Sequence, residues 1–231
     1  MNTLRKRAMA LAVGLSSLAG FVDATGFLEL HGTFISFMSG NSTQLAVALS
    51  RGEAGIIAGL ATIIGLFMFG VFIGTLAGHF SYPAYRTITV MGLVTGLIGA
   101  GWLCQLAGVP LAAIACLTLA MGAENAVFQR RGDVVVGVTY MTGTLVKVSQ
   151  KLAIAVTGGD RWAWGPWLVL WGGLILGGIA GATAYRYVGL GGIAVAVVWA
   201  AVLTVYAWLF RAAIHDSLQF DVDSADKVGR G

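Results

Sequence analysis

One pattern occurs twice in this chain, and it restricts the fold more than any other feature. Ser36-Phe37-Met38-Ser39-Gly40 returns as Thr139-Tyr140-Met141-Thr142-Gly143. Gly20-Phe21-Val22-Asp23-Ala24 returns as Gly122-Ala123-Glu124-Asn125-Ala126, and the ladder Gly70, Gly74, Gly78 returns as Gly173, Gly177, Gly181. The spacing is 102 residues between Gly20 and Gly122 and 103 between Gly40 and Gly143. The chain therefore reads as two related halves. In each, a polar position and a Gly-hydroxyl motif interrupt apolar sequence. Paired interruptions in a repeated membrane protein point to a midplane site between the halves.

The surroundings of the repeats exclude a soluble globule. Hydrophobic residues make up 58% of the 231 and charged residues 10%, against about 25% charged in soluble domains. Six apolar runs meet the span length of about 20 residues: 8–30, 55–80, 87–108, 109–130, 164–186 and 189–211. Two segments, 32–50 and 134–157, are shorter or more polar. Each follows the first span of its half and holds one copy of the Met-Ser/Thr-Gly motif.

Those two segments decide the topology. If both cross, the chain has eight spans and parallel halves. If both enter and leave on one side, each half has three spans and the halves are inverted. With six spans and the N-terminus inside, Arg5, Lys6, Arg7, Arg86, Arg130, Arg131, Lys147, Lys151, Arg161, Arg211, Lys227 and Arg230 fall inside, and Arg51 and Arg186 outside. Eight spans would put Arg86, Arg130, Arg131 and Arg186 outside, against the positive-inside rule. The expected fold is an all-α integral membrane protein of about six transmembrane helices. It comprises two inverted three-span repeats, 8–108 and 109–211, each with a re-entrant or broken polar segment. Residues 212–231, with four Asp and no apolar period, read as a flexible cytosolic tail. Arg5-Lys6-Arg7 followed by an apolar run resembles a signal peptide. The run continues to Leu30, however, so the segment is expected to stay as a span. The net charge of +4 reads as topology rather than as affinity for nucleic acid, and no nucleic-acid partner is expected.

Acidic side chains inside spans need a reason. An Asp near a helix centre costs about 2.5–3.5 kcal/mol on insertion scales. Asp23 and Glu124 lie several residues inside their spans, Asn125 follows Glu124, and Glu29 is near a span end. The alternative to a functional role is a polar clasp between helices. In the first motif, Gly40 allows a helix break, and Ser39, Asn41, Ser42 and Thr43 have the chemistry to cap a half-helix starting there. A half-helix N-terminus carries free N–H groups and a partial positive charge. The second copy keeps Thr142, Gly143 and Thr144 but lacks the Asn. An unbroken helix with close-packed small residues is the plainer alternative.

The remaining features read as packing. The glycine ladders have small-xxx-small spacing and are expected to join spans two and five, or to meet the motif segments. Trp162, Trp164 and Trp167 sit where span five begins and fit an interfacial belt. Cys104 and Cys116 fit no zinc or redox spacing. The sequence contains no phosphate-binding G-x-x-x-x-G-K-[ST] and no H-E-x-x-H, and His31, His79 and His215 are scattered. No cofactor, no metal and no enzymatic activity are expected.

Gly20-Phe21-Val22-Asp23-Ala24 with Phe37-Met38-Ser39-Gly40-Asn41 resembles the YoaK-like family of bacterial inner-membrane proteins. Met121-Gly122, Asn125-Ala126 and Tyr140-Met141-Thr142-Gly143-Thr144 are similar to that family's second block, with Glu124 where a neutral side chain is usual. The resemblance covers about residues 10–210. It implies an integral membrane protein of about six spans in the bacterial inner membrane, and it implies no mechanism.

The functional expectation is a secondary transporter of a small solute. Its site would lie between the halves at Asp23, Ser39, Gly40, Asn41, Glu124, Asn125, Thr142 and Gly143. Its partners would be the solute, protons as a coupling ion, the lipid bilayer and, in an oligomer, further copies. Both termini would be cytosolic. A channel and a non-transporting assembly or sensing protein are the rival readings.

Overall fold

The computed structural model describes residues 3–130, 133–134 and 140–211, with side chains for 6–128 and 140–211. The expected tail at 212–231 and Thr139 of the second motif lie outside the described residues. Eight α-helices follow in order: α1 Thr3–Glu29, α2 Met38–Arg51, α3 Ala54–His79, α4 Arg86–Leu106, α5 Pro110–Glu124, α6 Met141–Val156, α7 Gly165–Val188 and α8 Ile193–Leu209. One antiparallel ladder of two residues per strand, β1 Gln129–Arg130 with β2 Asp133–Val134, follows α5.

Helix ends occur where the sequence supplies stops. Gly52 takes the left-handed conformation (φ 69°) after α2, and its N–H donates to the Ala48 and Leu49 carbonyls. Left-handed Gly caps spare a Cβ clash. Gly108 (φ 74°) turns the chain between α4 and α5, and Pro110 opens α5, where its missing N–H costs nothing. Gly189 (φ 56°) breaks the apolar run between α7 and α8.

Among the described residues, four apolar stretches are long enough to cross a membrane: Lys6–Glu29, Ala54–His79, Pro83–Leu106 and Gly165–Leu209. The last contains α7 and α8, separated by the short 3-10 turn Gly189–Gly192. The span expected over 109–130 is shorter than its apolar sequence suggests. Its helix stops at Glu124, because the chain turns through 125–128 and then forms the β ladder. At about 1.5 Å per residue, its 15 residues cover only part of a bilayer core.

Contacts fix the helix directions. Val13, Ser17 and Phe21 of α1 meet Gly173, Gly177 and Gly181 of α7 in ascending order, so these two helices are parallel. Leu119 and Ala123 of α5 meet Gly70 and Gly74 of α3, also in parallel. Trp199 of α8 donates to the Gly14 carbonyl and Tyr206 to that of Arg7, so α8 opposes α1. Thr204 bonds to Thr95, and Arg211 lies over Tyr85 at 5.7 Å, so α8 also opposes α4. Hence α1, α4 and α7 run one way, and α3, α5 and α8 the other.

The core lies around α1. Two-thirds of its most apolar window (67%) is inside the bundle, against 17% for α3. The outward faces of α3, α7 and α8 expose Phe69, Phe72, Leu176, Ile179, Val198 and Val202. An apolar surface this extensive belongs against lipid rather than water.

The glycine ladders do not join spans two and five as expected. Gly173, Gly177 and Gly181 pack on α1, and Gly70 and Gly74 on α5, in each case the first helix of the other half, while Gly78 faces α4. A Cβ on Gly177 would collide with the Ser17 carbonyl, on Gly181 with that of Phe21, and on Gly70 with that of Leu119. Backbones approach this closely only where side chains are absent.

Candidate functional site

The first polar segment folds back beside the end of α1. After Glu29 the chain reverses at His31 (φ 51°) and Gly32 (φ 111°). It then descends to the level of Asp23 before α2 starts at Met38. Asp23 holds this descent. Its Oδ1 accepts the N–H groups of Ile35 at 2.8 Å and Ser36 at 2.6 Å, and its Oδ2 accepts the Ser36 hydroxyl at 2.6 Å. Asn41, fully buried, clasps the same loop from α2. Its Nδ2 donates to the Phe34 carbonyl at 2.7 Å, and its Oδ1 accepts the Phe34 N–H at 3.0 Å. Gln44 donates to the Gly32 carbonyl at 2.9 Å. Loop backbone inside a bundle must be satisfied in this way, because water is absent there.

Two expectations about the first motif are corrected. Gly40 is not a helix break: α2 already runs from Met38, and Gly40 lies in its first turn. Glycine is required there for space, since a Cβ would stand 2.5 Å and 2.7 Å from Phe37 ring carbons and 3.2 Å from Phe34. Nor do the hydroxyls cap the helix. The N-cap position is Phe37, with no side-chain cap. Ser42 and Thr43 instead donate to the Met38 and Ser39 carbonyls one turn back, the usual resting geometry of a hydroxyl inside a helix.

The second motif starts α6 at Met141. A Cβ on Gly143 would meet nothing within 4 Å, unlike one on Gly40. The Thr144 hydroxyl donates to the Tyr140 carbonyl at 3.4 Å. Lys147 stacks over Trp167 at 4.2 Å, which occupies its charge within the fold.

The two motifs meet. A cavity of about 190 Å³ lies between Met38-Ser39 at the start of α2 and Met141-Thr142-Gly143 at the start of α6. Phe67 and Tyr140 complete its wall. Ser39, Thr142 and Gly143 thus line one space fed by two helix N-termini. Asp23 lines a neighbouring cavity of about 540 Å³. The two spaces share Ser36, Phe37 and Met141. Gly40, Asn41, Glu124 and Asn125 line neither cavity.

Glu124 and Asn125 occupy the turn that ends α5. Asn125 donates to the Met121 carbonyl at 2.9 Å. Glu124 has no exposed surface, and neither carboxyl oxygen has a hydrogen-bond partner among the described residues. Asp23 and Glu124, which look alike in sequence, are therefore opposites: one accepts three hydrogen bonds, the other accepts none from the described residues. Glu29, at the end of α1, accepts the Tyr185 hydroxyl at 2.9 Å. Among the described residues, no three His, Cys, Asp or Glu side chains converge as metal ligands would.

Sequence reasoning missed Ser16, which donates to the Leu170 carbonyl at 3.0 Å and lies 3.9 Å from the Met141 sulfur. It also missed the aromatic run Phe27–Phe34–Phe37, with ring centroids 4.9 Å and 5.1 Å apart. The density of Phe around the first motif was the available signal.

The chain matches over residues 11–206 a family described as a protein of unknown function, DUF1275. It belongs to that family. A curated relative, the UPF0700 transmembrane protein RA0705 of Rhizobium meliloti (strain 1021), is 34% identical over 181 residues, covering 78% of this chain and 77% of the relative. No solved structure matches. The sequence resemblance to an uncharacterised family of bacterial membrane proteins thus holds, and the chain is a transmembrane protein.

Proposed function

We propose that this protein is a secondary transporter of a small solute, built from two inverted repeats of three spans in the bacterial inner membrane. The helix directions support the inversion. Under the repeat, α4 corresponds to α8, and these run antiparallel. Eight full crossings would make them parallel. Between α1 and α3 the loop at 30–37 and α2 enter and return on one side, α2 being the half-helix of a re-entrant segment. The ends of the bundle support the orientation. Arg7, Arg86, Lys151, Arg161 and Arg211 gather where α1, α4 and α7 begin, and Arg51 and Arg186 lie at the other end. The crowded end is the cytosolic one, with both termini on that side.

The observation that carries transport is a difference between the halves. Ser17 opposes Gly177 in the α1–α7 pair. By the repeat spacing, Leu119 corresponds to Ser17 and Gly74 to Gly177, so a symmetric molecule would pair Leu119 with Gly74. Leu119 instead meets Gly70, and Ala123, the counterpart of Phe21, meets Gly74 rather than Gly78. The α3–α5 pair is therefore displaced by four residues, one helical turn or about 6 Å. Two packings of one interface, each with glycines under the approaching backbone, are the two positions of a ratchet. Exchanging them moves α1 and α5 in the same direction along α3 and α7, so the two helices move as one body carrying Asp23 and Glu124. Alternating access by relative motion of repeats is the expected consequence. A rigid channel has no use for a second register.

In this scheme the motif cavity takes the solute, Asp23 keeps the re-entrant loop on α1, and Glu124 is the group available to a coupling proton. Asn41 and Asn125 hold their own segments, and Gly40 and Gly143 shape the starts of α2 and α6. An ionised carboxylate buried without partners costs several kcal/mol, so Glu124 is stable there only with a proton or cation.

One alanine substitution tests the ratchet. Alanine at Gly78 meets only Arg86 and Val90 side-chain atoms at 3.0–3.4 Å in this register, but would block α5 in the exchanged one. Spin labels at Leu28 and Tyr187, both exposed, read the α1–α7 register by pulsed dipolar spectroscopy in lipid discs. The unsubstituted protein should show two distances, and Gly78→Ala only one. A single unchanged distance in both proteins would end the ratchet reading.

A further inference from the structure

The 540 Å³ cavity differs in chemistry from the smaller motif cavity beside it. Of its 14 lining residues, only Asp23 and Ser36 carry polar side chains. Its floor is shaved flat: Gly20 and Ala24 on α1 face Gly178 and Ala182 on α7. Phe27, Phe34 and Phe37 wall one side, and the rim residues Leu28, Ile175 and Ile179 are exposed on the lipid-facing surface. Volumes of about 300–1,000 Å³, apolar walls and a few convergent polar groups are typical of small-molecule sites. The entrance is lateral, from the bilayer, and the polar pair lies where this cavity adjoins the motif cavity.

We infer that the cavity between α1, the re-entrant loop and α7 binds an amphiphile: an apolar body entering from the bilayer, with one hydrogen-bond-donating head, hydroxyl or amine, on Asp23. The head is specified by the chemistry of Asp23. Its Oδ1 accepts two N–H groups and its Oδ2 the Ser36 hydroxyl, and the Phe37 N–H is also directed at the carboxyl group. A carboxylate accepts hydrogen bonds and donates none, so a head that meets it must donate. A carboxylate head would face a like charge. A pure hydrocarbon would bring no donor, and a bulky polar head would face Phe27, Phe34 and Phe37 with no partner for its groups. The apolar body contacts the small-residue floor, which no side chain of the protein fills. This inference rests on the transporter reading in one respect: it names the substrate class of that same region.

The test uses photolabelling in proteoliposomes with a ten-carbon aliphatic alcohol bearing a mid-chain diazirine, followed by peptide mapping. Competitors are the unlabelled alcohol and the amine, carboxylate and hydrocarbon of equal length. Label should concentrate in 24–37 and 175–182. The alcohol and amine should compete at least fivefold better than the carboxylate or hydrocarbon. Gly178→Leu fills the cavity from a position where a Cβ meets only Gly20 O at 3.6 Å and the Ala24 Cβ at 4.0 Å. It should fold normally and cut labelling at least tenfold. Ala182→Leu, one turn further on, should act the same way. Labelling spread evenly over the lipid-facing sides of α3 and α8, indifferent to head group and to both variants, would mean a bilayer chain in a surface groove and would overturn the inference. The spin-label experiment reads the ratchet separately. Site-selective labelling in a protein with one fixed register would uphold the amphiphile site while removing transport. A moving register with unselective labelling would leave a transporter of some other solute and overturn this site.

Discussion

At the scale of single residues, Asp23 and Glu124 make the sharpest contrast, and stability measurements separate them. Asp23→Ala strips three donors of their acceptor, the Ile35 and Ser36 N–H groups and the Ser36 hydroxyl. Each unsatisfied buried group costs about 1–3 kcal/mol, so the detergent-solubilised protein should lose several degrees in melting temperature. Asp23→Asn keeps one acceptor oxygen for the two N–H groups and should lose markedly less. Glu124→Gln should leave the melting temperature unchanged or raise it, since the carboxyl group it replaces accepts no hydrogen bond. A large fall for Glu124→Gln would show that the carboxyl group makes a structural bond and would remove it as the coupling group. The glycines divide the same way. Gly40→Ala should destabilise, because its Cβ runs into the Phe37 ring, whereas Gly143→Ala should be near neutral, because its Cβ enters open space. Thermal melts of both variants check this; equal effects would mean that the first-motif aromatic packing does not constrain α2.

At the scale of elements, apolar length and Gly/Pro punctuation made most helices legible. The 3.6-residue pattern was of little use, since helices of this kind are apolar on nearly every face. What the residues concealed was partnership. A ladder such as Gly173, Gly177, Gly181 announces that some backbone comes close, but small-xxx-small spacing is equally good for any neighbour. That α1 and not α3 fills it depends on tertiary packing. The end of α5 was concealed for a related reason. Residues 126–128 are as apolar as a helix interior, and Ala126, Val127 and Phe128 are indeed buried, but in a turn. The site was half legible. Repetition singled out both motifs, and the structure brings Ser39, Thr142 and Gly143 to one cavity. Repetition also equated Asp23 with the Glu124-Asn125 pair, although their hydrogen-bond partners differ. Those partners are loop N–H groups, which exist at any sequence and reveal themselves only when the chain has folded.

For the whole molecule, the decisive property is the relative sense of the halves, and the ends of α2 and α6 test it. α2 ends next to Arg51 and α6 ends next to Thr157. If the halves are inverted, these two ends lie on opposite sides of the membrane: the first outside, the second in the cytosol. If both segments crossed the bilayer, both ends would lie inside. Cysteines at Ser50 and Thr157, both exposed, distinguish the cases in a background where Cys104 and Cys116 are alanine. An impermeant maleimide applied to intact cells should label Ser50→Cys fully. It should reach Thr157→Cys only after the membrane is opened. The expected asymmetry follows from the charges, since Lys151 and Arg161 flank the second end and Arg51 with Glu53, 3.9 Å apart, flank the first. Cations beside a span resist translocation, and two flank the second end against one at the first. Identical labelling at the two positions would mean parallel halves. The one-turn offset between their glycine ladders would then be a fixed irregularity of packing, and the transport reading would lose the symmetry on which its two registers depend.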